Sequence, residues 1–110
     1  MIRQILALDG VLAVCRFQDD GLLAEAYGLF PDAEMVRLAR FACDYRRMLQ
    51  ANTDQLSMFT QIRGWTPPRG WMVHGAGKSV CGAGNMVCVI DNVEASLDQV
   101  YAELMEASNY

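Results

Sequence analysis

Apolar positions along this chain recur with two different periods, and the changes of period mark its elements. Ile2 to Leu8 is mostly apolar and predicts a short opening helix over residues 2–8. Val11-Leu12-Ala13-Val14-Cys15-Arg16-Phe17 is apolar on both alternations, as a strand covered on both faces is. Asp19-Asp20-Gly21 signals a turn, and Leu22 to Tyr27 returns as a second strand. The period then lengthens. After Pro31, Asp32 has the side chain to cap a helix start. Apolar or permissive residues follow at Met35, Leu38, Ala42, Tyr45, Leu49, Asn52, Leu56 and Phe59, in steps that alternate three and four. That is a heptad stripe. Phe41 and Met48 widen it, and Arg40 and Arg47 fall on the opposite side. At ~1.5 Å per residue this helix would exceed about 35 Å, long for so small a chain. It is expected to end before Gly64.

Two readings stay open for that helix. It packs its stripe on its own sheet, as most amphipathic helices do. Alternatively, the portion from Leu49 to Phe59 extends past the sheet and meets a second copy. Leu49, Asn52, Leu56 and Phe59 would then line the dimer contact, with Asn52 helping to set register.

Beyond residue 70 the period returns to two. Trp71 to His74, Ser79 to Ala83 and Met86 to Ile90 read as three strands. Gly84-Asn85 suits a two-residue hairpin turn. The segment between the first two of these strands, "HGAGKS" at 74–79, has the tail of a phosphate-binding loop in Gly77-Lys78-Ser79. Such a loop needs a glycine at position 72, where Met72 stands, and a helix immediately afterwards. Val80-Cys81-Gly82-Ala83-Gly84-Asn85 is a poor helix start, so the segment is read as a turn with Lys78 in water. Asp91 or Asn92 is expected to cap a closing helix with Val93, Leu97, Val100, Tyr101 and Leu104 on its apolar side. The expected strands are 11–17, 22–27, 70–75, 78–84 and 86–91, with the long helix within 32–61.

Composition narrows the function classes. A hydrophobic fraction of 53% over 110 residues supports one domain, 1–110, with one core. The net charge of −4 argues against a nucleic-acid partner. No apolar run approaches a membrane span and no signal segment is visible, so no membrane partner is expected and a cytoplasmic location is. Cysteines at 15, 43, 81 and 88 have no zinc-type spacing, and neither metal nor cofactor is expected. His74 is the only histidine and reads as a strand-end residue. With Gly84-Asn85 as the turn, residue 83 faces 86, 82 faces 87 and Cys81 faces Cys88. Facing Cα atoms lie ~5.5 Å apart, within disulfide range. The pair is inert core, a redox pair or the holder of a thiol-bound ligand. Trp65, Pro67, Pro68 and Trp71 form a candidate partner surface, because a stiff Pro-Pro loop carries two large amphipathic rings.

The order helix, strand, strand, long helix, three strands, helix, opening on "LDGVLAVCRFQDDGLLAEA" and closing on "MVCVIDNVEASLDQVYAEL", resembles the roadblock / dynein-light-chain superfamily. The block "WTPPRGWMVHGAGKSVCGAGN" at 65–85 is similar to a small prokaryotic family of unknown function within that fold. The resemblance implies an α+β fold. A five-stranded antiparallel sheet would carry the long helix on one face and the terminal helices on the other. It also implies homodimers joined at sheet edges and long helices, a scaffold or regulator of small Ras-like GTPases, and no catalytic residues. A homodimeric, non-enzymatic adaptor or regulator is therefore the leading expectation. A thiol-dependent redox or sulfur-handling protein using Cys81 and Cys88 is the alternative, and a small-ligand sensor a weaker one.

Overall fold

The computed structural model describes the backbone of residues 2–60 and 70–108, with side chains for 4–52 and 70–108. Its elements are α1 (Ile2–Leu6), β1 (Val11–Phe17), β2 (Leu23–Gly28), α2 (Asp32–Thr60), β3 (Gly70–His74), β4 (Lys78–Ala83), β5 (Met86–Asp91) and α3 (Leu97–Ser108). The order is the one the hydrophobic pattern predicts. The strands form one sheet in the order β2-β1-β5-β4-β3, and every neighbouring pair is antiparallel.

Strand alternation divides the core into two layers. Val14, Cys81, Ala83, Met86, Cys88 and Ile90 face Ile5 of α1 and Val100 and Leu104 of α3. Ala13, Cys15, Phe17, Trp71 and Val87 face Met35, Ala39, Ala42 and Cys43 of α2. The long helix thus covers one face, and the two terminal helices cover the other. β1 and β5 are apolar on both alternations because helices lie on both sides of them. Each large side chain buried here contributes about 1.5–3 kcal/mol.

The connections are tight. Gly10 takes φ 81°, and its carbonyl accepts a hydrogen bond from Asp91 N at 2.8 Å. A Cβ at Gly10 would collide with Ala95, so the "DG" before β1 is required by packing as well as by turn geometry. Gly84 takes φ 55° in the two-residue β4–β5 turn.

Strand ends shift by at most one residue, and two helix boundaries differ more from expectation. α1 stops at Leu6, and hydrogen bonds from Leu8 N to Ile5 O and from Val11 N to Leu8 O carry the chain into β1. The closing helix begins at Leu97, not at Val93. The Asp91 carboxylate does cap, accepting from Val93 N at 2.8 Å and Glu94 N at 3.2 Å, but it caps a separate turn. Val93 is 90% exposed on that turn. The helix starts late because Asn92 is committed to the β3–β4 loop. Its backbone N–H and side-chain amide bond Gly77 O and Gly75 O.

Candidate functional site

The face of α2 that adjoins edge strand β3 is the first candidate. Trp71 points from β3 beneath α2, because Gly82 on the neighbouring strand leaves a space that the indole fills. Its ring centroid lies 4.8 Å from that of Tyr45 and 5.9 Å from that of Phe41. Phe41 and Tyr45 stack at 5.6 Å. Trp71, read as part of a candidate partner surface, is only 9% exposed and packs as a core side chain of this chain. Trp65, Pro67 and Pro68 lie outside the described residues.

Along α2, Met35, Ala39, Ala42 and Cys43 are buried, and Leu38, Tyr45 and Leu49 are half-buried against the same core. Asn52 is exposed. The backbone of α2 continues past Leu56 and Phe59, whose side chains lie outside the described residues. Phe41 and Met48, expected to widen the sheet-facing stripe, are 42% and 48% exposed. Val36 is exposed as well. Sequence reasoning missed this apolar outer surface because it had no means of phasing the helix against the sheet.

Arginines tie α2 to the two hairpin turns at one end of the sheet. Arg40 donates to Asp20 O at 3.4 Å and Arg47 to Asp19 O at 2.9 Å. Arg46 bonds Gly84 O at 3.3 Å and the Asn85 side chain, and pairs with Asp19 at 3.7 Å. Its guanidinium also lies 5.4 Å from the centre of the Phe17 ring. These charges serve the chain's own turns.

The 74–79 segment is a hairpin loop. Lys78 opens β4 and pairs in register with Asp91, and a strand follows where a phosphate-binding loop needs a helix. Ser79 is 1% exposed and donates its hydroxyl proton to Asn92 Oδ1 at 2.5 Å. His74 Nδ1 lies 3.2 Å from the same hydroxyl. A serine beside a histidine suggests a nucleophile, but this oxygen is buried and its proton is engaged by Asn92. The cluster closes a loop.

The thiols divide between the two core layers. Cys15 donates to Met35 Sδ at 3.4 Å, and burial pushes its pKa up to about 11. Cys43 donates to Asp19 O at 3.6 Å. Cys81 and Cys88 face each other across β4 and β5, as the turn predicts. Both are fully buried, and all four cysteines are free. A hydrogen bond from Cys88 lowers the Cys81 pKa, and the same bond together with desolvation raises that of Cys88.

Shallow hollows lie among the described residues. One of about 360 Å³ is lined by Phe30, Glu34, Arg37, Leu38 and Phe41, and one of about 300 Å³ by Arg16, Gly84, Asn85, Met86, Ala107 and Ser108. Neither gathers convergent catalytic groups. Among the described residues no three His, Cys, Asp or Glu side chains cluster as metal ligands, and no helix is long and apolar enough to cross a membrane.

Comparison with known proteins identifies the fold. The family described as "Uncharacterized conserved protein (DUF2173)" matches residues 1–106. No curated protein matches the chain in sequence. Myxococcus xanthus MglB superposes with a TM-score of 0.70 at 17% identity, covering 90% of this chain and 78% of that one. A structure titled MglB with tetrameric arrangement gives a TM-score of 0.76 at 17% identity, covering 97% and 81%. The roadblock/LC7 domain from Streptomyces avermitilis gives 0.69 at 14% identity, covering 99% and 91%. The five-stranded antiparallel sheet with its three helices is a roadblock-like fold.

Proposed function

The chain belongs to the uncharacterized family DUF2173, and from that membership and its roadblock-like fold we propose that it is a non-enzymatic, homodimeric adaptor or regulator. The observation that carries this reading is the apolar outer surface of α2. Phe41 and Met48 stand about half exposed on that helix. Among the described residues β3 is an edge strand with one side unpaired, and Phe41 packs against its Trp71. An open strand edge with large apolar groups next to it is a surface that a partner stabilises by covering. A second copy does so symmetrically, each β3 edge and each α2 meeting its counterpart. Leu49, Asn52, Leu56 and Phe59 belong to the half of α2 assigned to that contact. At about 1.5 Å per residue the 29-residue helix spans roughly 44 Å. Strands of five to seven residues cover about half of that length.

The partner class proposed for the dimer is a small Ras-like GTPase, as the resemblance to roadblock proteins implies, and the proposed location is the cytoplasm. The dimer is tested by light scattering coupled to size exclusion. The GTPase role is tested by nucleotide-hydrolysis and binding assays with the Ras-like GTPases of the host cell. An unchanged hydrolysis rate and no complex with any of them would remove that role while leaving the dimer intact.

The thiol alternative rests on the direct opposition of Cys81 and Cys88. Their complete burial opposes reaction with a bulky substrate. Rapid alkylation of both in the native protein is the result that would favour it.

A further inference from the structure

A row of sulfur crosses the sheet beneath α3. Met72 on β3 stands opposite Cys81 on β4, and Cys81 stands opposite Cys88 on β5. Facing residues in a sheet project to the same side, and neighbouring strands lie about 4.7–4.9 Å apart. All three side chains pack in the layer covered by α1 and α3. The two thiols are fully buried, and neither is used in a disulfide. Nothing in the adaptor reading requires them.

We propose that Cys81, Cys88 and Met72 form a binding site for a thiophilic monovalent cation, cuprous copper. The donor set decides the ion. Two thiolates and a thioether are soft ligands, which select copper(I) over calcium, magnesium or manganese. A structural zinc site wants four nitrogen or sulfur ligands in a tetrahedron, and three sulfurs in a row do not supply them. Binding involves no change of oxidation state. Each thiol that ligates the ion loses its proton to solvent, and the thioether donates a lone pair without one. One copper(I) and two thiols therefore give a bis-thiolate of net charge −1 and two free protons. Affinity must rise with pH for that reason. Access requires α3 to lift from the sheet. That helix has 12 residues, with Val100 and Leu104 fully buried and Leu97, Met105 and Ala107 packed beside them, so access is by local opening. The other two thiols are committed elsewhere, Cys15 to Met35 and Cys43 to a backbone carbonyl.

The test is an anaerobic titration of the whole chain with copper(I) in competition with bathocuproine disulfonate, read with X-ray absorption. The wild type should hold one copper per chain in an all-sulfur shell of three. The variant with Cys81→Ala and Cys88→Ala should lose affinity by about 100-fold or more, and Met72→Leu by about tenfold with one sulfur missing from the shell. The variant with Cys15→Ala and Cys43→Ala should bind as the wild type does. Met72→Leu conserves volume and keeps the test decisive if the double alanine variant fails to fold. Surrender of all copper to the chelator by the wild type overturns the proposal. So does a shell with nitrogen or oxygen, loss of binding in the Cys15/Cys43 variant, or an unaltered Met72→Leu.

Discussion

Gly82 and Trp71 show how one missing side chain positions another. The indole lies where a Cβ on Gly82 would be, so Gly82→Ala forces the ring outward against Tyr45 and Phe41. The expected loss is about 1–3 kcal/mol by chemical denaturation, as for other overpacked sites. Trp71→Phe in the same background should recover part of it, and a double-mutant cycle measures the coupling. Cys15 supplies a pH signature. Its thiol titrates near 9.0 when exposed and at about 11 in the fold. Between those values the unfolded chain has released a proton that the folded chain still holds, so stability falls as pH rises. Its contribution is fully present below pH 9 and is lost progressively to pH 11. The loss is on the order of 2–3 kcal/mol. Denaturation of the wild type and Cys15→Ala at pH 8 and pH 11 isolates it, the variant showing the smaller drop.

The β3–β4 hairpin shows the same economy among elements. Asn92, in the turn after β5, accepts from the buried Ser79 hydroxyl and donates to Gly75 O. Asn92→Ala leaves that hydroxyl with only His74 beside it. A cost of about 1–3 kcal/mol is expected, with faster amide exchange at Gly75 and Asn92, whose N–H groups bond across the loop. Adding Ser79→Ala should return part of the loss, because removing both partners costs less than stranding one. The same hairpin rules on nucleotide. With β4 in place of a helix there is no ring of N-terminal amides to hold a phosphate. Calorimetry with ATP or GTP should show no binding, and Lys78→Ala should change nothing. Micromolar affinity that this variant abolishes would contradict the hairpin reading.

For the whole molecule, the proposed dimer predicts that a charge on the outer face of α2 is costly. Met48→Asp should leave the isolated fold intact and shift the protein to monomers, and Phe41→Asp should do the same with some loss of stability from its contacts with Tyr45 and Trp71. Leu56→Asp should behave alike. Asp98→Lys, exposed on α3 across the sheet, is the control and should assemble as the wild type does. Light scattering at tens of micromolar decides the matter. A monomeric wild type ends the proposal, and a dimer that survives both Phe41→Asp and Met48→Asp moves the contact off this face.

Local rules made much of this protein readable from its sequence. Period-two strands and a period-3.6 helix alternate, so element order and type followed from the apolar pattern, and from them the likeness to roadblock proteins. The register that puts Cys81 opposite Cys88 followed from a two-residue turn, because turn length sets pairing in a hairpin. What interactions distant in sequence control stayed out of reach. α3 begins at Leu97 because Asn92 is held by a loop some fifteen residues earlier. Trp71 is buried because of a gap at Gly82, and Arg40 and Arg47 face turns of the first hairpin that no helical pattern places nearby. Phe41 and Met48 are exposed because the rotation of α2 on the sheet is set by Met35, Ala39, Ala42 and Cys43 together. A stripe in the sequence says that a helix has an apolar side. Only packing against the sheet decides which part of that side is covered and which is left for a partner.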